Sequence, residues 1–592
     1  MTLLELARIL ACVVAMLGLS GAGLTLLLVR DGTARWALLV TPFVGLAVTC
    51  SVAYLTSSLG LPAARSIWLL GALALLLLAL GRRARDAAPQ PPRGAPWAIV
   101  LAALPALLLA VWPMVAIDRL LPIGDSNCDP MSYAAVTDFL RDGSLRQPPE
   151  VKRVYPTTAT VAFRMKTQER LGFEMIAAYT DILAGERAAL RTFSAIAGVG
   201  FALGAIGAGV VAAAGLGGGL AAGVAATLLY ALCAFPLWVA YGGYGPQALA
   251  SGLIPLTLWV GACALRSGAW RDRALAGVLV SGVAGVYSES LPYVAAPLAL
   301  LALAELWRQR GAEHTWRPLA GLLAIGVVAV AFDPIAAARA VDRVWFAVAT
   351  PNRGNVDWHT DLRQVLGLLP FTPVAPGTSP LPWVPFLLLC GFVALGCARL
   401  DGGGRRLALA FAAPALLSIA WFVRREFPYG EFKAWSIAAF LPFSLLGLGL
   451  VASWAWSAQR RVARRAVLVA ALLAIAPIAA QSVQLARAMA TRFAFSPALD
   501  EVSAWLGAIA DGQRIFVASG KLSSVSTAWI AYVLRAQRVR ADTGICYSRF
   551  GKDTYDGEPW VLRHRSSDLL RDAAPAPRVV AANAEFELLR IE

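Results

Sequence analysis

A chain of 592 residues that is 58% hydrophobic and only 15% charged, with a mean hydropathy of +0.64, is too apolar for a soluble globular protein. Its formal net charge of +16 does not point to nucleic acid, because the two polar regions are balanced. Residues 118–191 hold 10 Lys and Arg against 10 Asp and Glu, and residues 498–592 hold 12 against 12. The excess sits largely in short loops between apolar runs, where membrane topology collects it.

In chain order, apolar runs of the length needed to cross a bilayer predict about 14 transmembrane helices. They lie near residues 5–29, 36–60, 67–81, 97–117, 192–214, 219–240, 248–265, 274–287, 291–306, 318–332, 381–398, 407–423, 434–457 and 466–485. The expected fold is thus an α-helical polytopic membrane domain over residues 1–485, followed by a small domain over 486–592. The first run, with Glu5 and Arg8 ahead of it, reads as a retained helix rather than a cleaved signal. Alternate loops are rich in arginine, among them Arg82, Arg83 and Arg85, then Arg266, Arg271 and Arg273, then Arg460, Arg461, Arg464 and Arg465, and are expected inside. The opposite set, segment 118–191, loop 333–380, loop 424–433 and the tail from 486, then faces outward with both termini. Of the eight cysteines only Cys128 and Cys546 fall outside the spans and their edges, and in an oxidising periplasm these two could pair. Small residues four apart, at Gly200 and Gly204 and at Gly219 and Gly223, suit close helix packing in lipid.

The outer segment 118–191 is too long for a connector. Its stretch GDSNCDPMSYAAVTDFLRDGSL places Asp125 and Asp129 four residues apart, directly after an apolar span. From Asp129 onward the pattern is a short amphipathic helix with Tyr133, Val136, Phe139 and Leu140 on one face, Pro130 in its first turn and Gly143 as a stop. Asp129 is either a helix cap or a working carboxylate. A second amphipathic helix is expected over 170–185, its Leu171, Met175, Tyr179 and Ile182 face suited to lying on the bilayer. Acids at such a surface can act as a general base or help to hold a divalent cation, Mg or Mn.

Three further outer features carry charge. GVYSESLPY, residues 285–293, reads as a hairpin whose Glu289 must face water, a partner or a substrate, because an ionised acid facing lipid is costly. Asp333 closes the next span as an interfacial acid. RREFPYGEFK, residues 424–433, gathers Arg424, Arg425 and Lys433, groups suited to phosphate oxygens, or else forms an ordinary salt-bridged loop. Loop 351–364 adds Arg353, His359 and Arg363.

The order of a span, a loop reading Asp-x-x-x-Tyr, an amphipathic helix ending FLRDGSL, a GFEMIAAYTDILAG helix and many more spans resembles the polytopic GT-C glycosyltransferases. The likeness is greatest to the dolichyl-phosphate-mannose and aminoarabinose transferase type. It covers residues 97–485 in layout and about 60 residues in motif. It implies a polyprenyl-phosphate sugar donor, a glycan, lipid or protein acceptor, and a catalytic base in the first outer loop, which falls on Asp129 with Tyr133 beside it and Asp125 as a second acid. It also implies an inverting transfer at the outer, periplasmic face of a bacterial inner membrane. The chain departs from the family in the four-residue spacing of the acids and in three extra spans before the loop. Arg424, Arg425 and Lys433 are then the expected partners of the leaving phosphate, with Glu289 and His359 further substrate-binding candidates.

The last 95 residues read as an extracytoplasmic α/β domain: helix LDEVSAWLGAIAD, strand RIFVAS, helix STAWIAYVLRAQ, strand RVRAD and a terminal hairpin in RVVAANAEFELLRIE. No phosphate loop or nucleophile elbow occurs in it. The rival reading is a polytopic transporter or lipid flippase, which calls for ionisable groups inside the spans near the midplane.

Overall fold

The computed structural model describes residues 3–29, 35–86, 96–116, 127–150, 155–167, 169–186, 191–309, 316–349, 356–373, 382–491, 495–545, 552–573 and 576–591. Nine of the described helices are long and apolar enough to cross a membrane, or twelve spans exist if each of three bent helix pairs counts as one. Against the expected fourteen, the difference has two sources. The runs 274–287 and 291–306 form one bent pair, Trp270–Ser290 with Pro292–Arg308, turned by 118°. The run 381–398 forms a helix of only 16 residues, Trp383–Ala398, short of a full crossing. Large side chains on the outward faces, such as Trp68, Leu75 and Leu323, are at least 69% exposed, as a lipid-facing surface requires.

Close helix packing follows the small residues. A Cβ on Gly45 would stand 1.7 Å from the Leu17 carbonyl, so helices Leu3–Leu28 and Ala37–Ser58 touch backbone to backbone. Gly200 and Gly223 pack in the same way, whereas Gly219 has a left-handed φ of +72° and nothing against it.

Helix Gly172–Ala184 is enclosed by protein, with Leu171, Phe173, Met175 and Tyr179 all buried, and with Glu174 and Asp181 buried beside them. Pro156 opens a further helix, Pro156–Lys166, that the periodicity did not disclose. The loop expected over 333–380 begins with another, Pro334–Ala349. This helix is amphipathic in an informative way: Val341, Trp345 and Phe346 are exposed, Ala336 and Ala340 are buried, and Arg339 and Arg343 reach inward.

Several contacts place three parts of the chain on one face of the bundle. Arg8, at the start of the first span, pairs with Glu186 at 2.6 Å. Tyr532 of the C-terminal part donates to Asp138 at 2.6 Å, and Thr157 donates to the Ala531 carbonyl at 3.2 Å.

The C-terminal part is a five-stranded sheet ordered β2-β1-β3-β5-β4, with β1 Arg514–Ala518, β2 Arg538–Ala541, β3 Trp560–His564, β4 Arg578–Ala582 and β5 Phe586–Arg590. Strands β2 and β3 run parallel to β1 on either side, and the expected terminal hairpin is β4 with β5. Helix Ser524–Val533 supplies the crossover from β1 to β2. Strand β3 went unread because WVLRH offers only three apolar residues before two polar ones. Cys128 is disulfide-bonded, the other described cysteines are free, and Cys546 lies outside the described residues.

Candidate functional site

Asp129 is the first residue of helix Asp129–Asp142, and Cys128, with no side-chain capping bond, is the cap residue. The carboxylate is therefore not tied up as an N-cap. It accepts a hydrogen bond from Tyr133 Oη at 3.3 Å, one helical turn on. The backbone holds the helix start independently: Asn127 Oδ1 accepts from the Asp129 N–H at 3.0 Å, and Asn127 Nδ2 donates to the Gly242 carbonyl at 3.0 Å. Gly243 completes this clamp, since its φ is +79° and a Cβ there would lie 2.2 Å from Pro130. The Tyr133 ring is pinned between Phe173 and Phe193, at centroid distances of 5.8 and 6.0 Å, so its hydroxyl has little freedom.

Behind Asp129 lies a network of charges drawn from four separate parts of the chain. Arg164 bonds Glu169 at 2.8 Å, Glu174 at 2.8 Å and Ser132 Oγ at 3.0 Å, and its guanidinium covers the Tyr133 ring at 4.5 Å. Arg170 pairs with Glu289 at 2.5 Å and lies 4.5 Å over the Tyr287 ring. Arg343 reaches the same Glu289 oxygen at 3.0 Å and Glu169 at 3.8 Å, while Arg339 donates to the Glu169 carbonyl at 2.8 Å. Lys433, on helix Pro428–Ala438, sits 4.4 Å over Tyr429 and 5.6 Å over Tyr287.

Lys433 differs from the arginines. Among the described residues it forms no ion pair within 4 Å, although the charges of Glu289 and Asp129 act on it. Desolvation pulls its pKa down to about 8, with Arg170 and Arg343 adding to that pull and Glu289 and Asp129 opposing it. Burial alone would raise the Glu169 carboxyl, but Arg164 and Arg343 hold it below the usual carboxylate range. Burial wins at Glu174, whose pKa is raised despite Arg164. Among the described residues, five cations, Arg164, Arg170, Arg339, Arg343 and Lys433, stand with four acids, Asp129, Glu169, Glu174 and Glu289. The imbalance favours one bound anion.

Of the residues expected from sequence, the fold brings together Asp129, Tyr133, Glu289 and Lys433. Arg424 and Arg425 do not join them: both are exposed, and Arg425 covers Trp421 at 4.6 Å. The expectation that 424–433 acts as one basic loop fails because Pro428 starts a helix that carries Lys433 inward and leaves the arginines at the end of the preceding span. His359 bonds Glu431 at 2.7 Å and is half-exposed, so it straps its loop to helix Pro428–Ala438 instead of facing Asp129. Asp333 caps the next helix, accepting from the Ala336 N–H at 2.8 Å. Asp125 and Arg353 lie outside the described residues.

Sequence reasoning missed Arg164, Arg170, Arg339 and Arg343. A usable signal existed for the last pair: two arginines four apart, alternating with Ala336 and Ala340, on a helix otherwise edged by Val341 and Trp345. Among the described residues no group of three His, Cys, Asp or Glu side chains could hold a metal ion.

No family model matches the chain, and no curated protein matches it. Among solved structures it is similar to the crystal structure of ArnT from Cupriavidus metallidurans in the apo state, with a TM-score of 0.46 and 15% identity over 83% of this chain and 97% of that one.

Proposed function

We propose that this chain is a membrane glycosyltransferase of the GT-C type, moving a sugar from a polyprenyl-phosphate donor to an acceptor hydroxyl at the outer face with inversion. The observation that carries the reading is an ammonium, Lys433, that forms no ion pair among the described residues and lies near the Asp129 carboxylate at the ionic end of the helical bundle. Asp129 takes the proton as the acceptor O–H bond breaks. The acceptor oxygen then bonds to the anomeric carbon while the bond from that carbon to the phosphate oxygen breaks. The bonding pair leaves with the lipid phosphate, whose added charge meets Lys433, with the charges of Arg170 and Arg343 behind it. Tyr133 and Arg164 act as positioning residues, the first by its bond to Asp129 and the second through Ser132 and the Tyr133 ring.

Transfer from a polyprenyl-phosphate sugar by the purified protein in proteoliposomes tests this reading. Lys433→Ala should raise the donor KM by about 10- to 100-fold, since a hydrogen bond to a charged group contributes about 1.5–3 kcal/mol. Arg424→Ala and Arg425→Ala should stay within about twofold, as exposed charges contribute little. The pH dependence has a definite sign. Lys433 is charged below its pKa of about 8, so kcat/KM for the donor should fall as pH rises through that value. Lys433→Arg should remove the fall. Unchanged donor use by Lys433→Ala would refute the assignment.

A further inference from the structure

Three helices connect the ionic site to the opposite end of the bundle. Gly245–Ser267 begins against Phe173, Pro292–Arg308 begins three residues after Glu289, and Gly402–Arg424 ends just before the helix of Lys433. With 23 residues in the first and third, their far ends lie about 34 Å away, on the other membrane face. There the three helices line a shallow groove that is open to its surroundings.

Its walls are apolar, built from Leu265, Leu301 and Leu407, and its polar groups are Arg266, Arg406 and Glu305. The acid is already neutralised: Glu305 accepts from Arg308 Nε at 3.0 Å and from Gln309 Nε2 at 2.7 Å. The two arginines form no such bond to it, although the Arg406 charge acts on Glu305. Arg266 Nε donates to the Ala262 carbonyl at 3.2 Å and Arg406 Nε to the Gly402 carbonyl at 3.0 Å, each a bond to its own helix that anchors the guanidinium. Among the described residues neither forms an ion pair. The nearby Asp401 carboxylate serves the Gly404 N–H as a helix cap. Leu300, Leu303 and Leu409 on the same helices are 41%, 51% and 67% exposed, so the groove opens beside surfaces that face lipid.

We propose that this groove binds one anionic phospholipid, with its phosphodiester on Arg266 and Arg406 and its acyl chains along the exposed Leu300, Leu303 and Leu409 beside it. Two guanidiniums anchored through Nε, with no ion pair among the described residues, select a phosphate bearing net negative charge, and the leucines supply what a free anion cannot use. A zwitterionic lipid would bring its own cation toward the arginines and gain less. The site is separate from the ionic centre and does not depend on the glycosyltransferase reading.

Native mass spectrometry of the delipidated full-length protein, titrated with phosphatidylglycerol or phosphatidylcholine, tests it. One phosphatidylglycerol should bind at least about fivefold more tightly than phosphatidylcholine, a preference of the size two surface charges give. Arg266→Gln with Arg406→Gln should erase that preference. Leu301→Trp, which keeps both arginines and fills the groove, should also lose the bound lipid. Arg82→Gln, removing an arginine of another span end, should change nothing. Equal binding of the two lipids by the wild type, an unaltered preference in the double variant, or displacement of phosphatidylglycerol by millimolar inorganic phosphate would each overturn the proposal.

Discussion

Asp129→Asn is expected to reduce sugar transfer by at least about a thousandfold, within the range for loss of a general base, while leaving the fold intact. Asparagine has the same shape and keeps an oxygen to accept from Tyr133 Oη, so the 3.3 Å bond and the aromatic packing around it survive. The helix start survives as well, because Cys128 is the cap residue and Asn127 holds the Asp129 N–H. What the substitution removes is the proton acceptor. The measurement is single-turnover transfer from a polyprenyl-phosphate sugar, alongside donor binding and thermal unfolding of the same preparation. Lost transfer with retained donor binding and an unmoved unfolding midpoint fits a base. Full activity would exclude Asp129 from that role, and a lowered midpoint together with lost activity would make it a structural acid.

The largest effect on stability is expected at Arg164. The side chain is 3% exposed and compensates Glu174, which is fully buried, while also bonding Glu169 and Ser132. Arg164→Ala leaves the Glu174 carboxylate in a low-dielectric interior without its partner, at a cost of about 3–5 kcal/mol. Denaturant unfolding in detergent should show that loss. Arg164→Met combined with Glu174→Leu should recover most of it, since replacing a buried pair by apolar groups of similar volume is commonly close to neutral. Transfer should stay low in the double variant, because the guanidinium over Tyr133 and the bond to Ser132 remain absent. A double variant no more stable than Arg164→Ala would show that the arginine acts mainly through Glu169 or Ser132.

Asp129 and Tyr133 could be read because their relation is local: one helical turn places i and i+4 together wherever the helix lies. Lys433 stands out in the sequence for its charge, but its sequence neighbours are not its neighbours in space. Its neighbours Arg424 and Arg425 are close in sequence and end on a different surface, because helix Pro428–Ala438 turns Lys433 toward Tyr287. Glu289 was singled out because an acid is costly in lipid, a rule of solvation that holds without knowledge of the partner. That partner, Arg170, is 119 residues away, and no local pattern encodes such a pairing.

Sequence by itself determined that this is a membrane chain of many spans with a small α/β unit at its end, because apolar run length and strand alternation are local consequences of bilayer thickness and pleat geometry. It also placed an acid at the start of a helix after an apolar span. Tertiary structure decided the rest: which apolar runs are crossings and which are bent pairs, that helix Gly172–Ala184 is enclosed instead of lying on lipid, and that Arg164, Arg170, Arg339, Arg343 and Lys433 converge behind Asp129. The physical reason is that desolvated charges must find partners, and the fold supplies those partners from helices separated by more than a hundred residues.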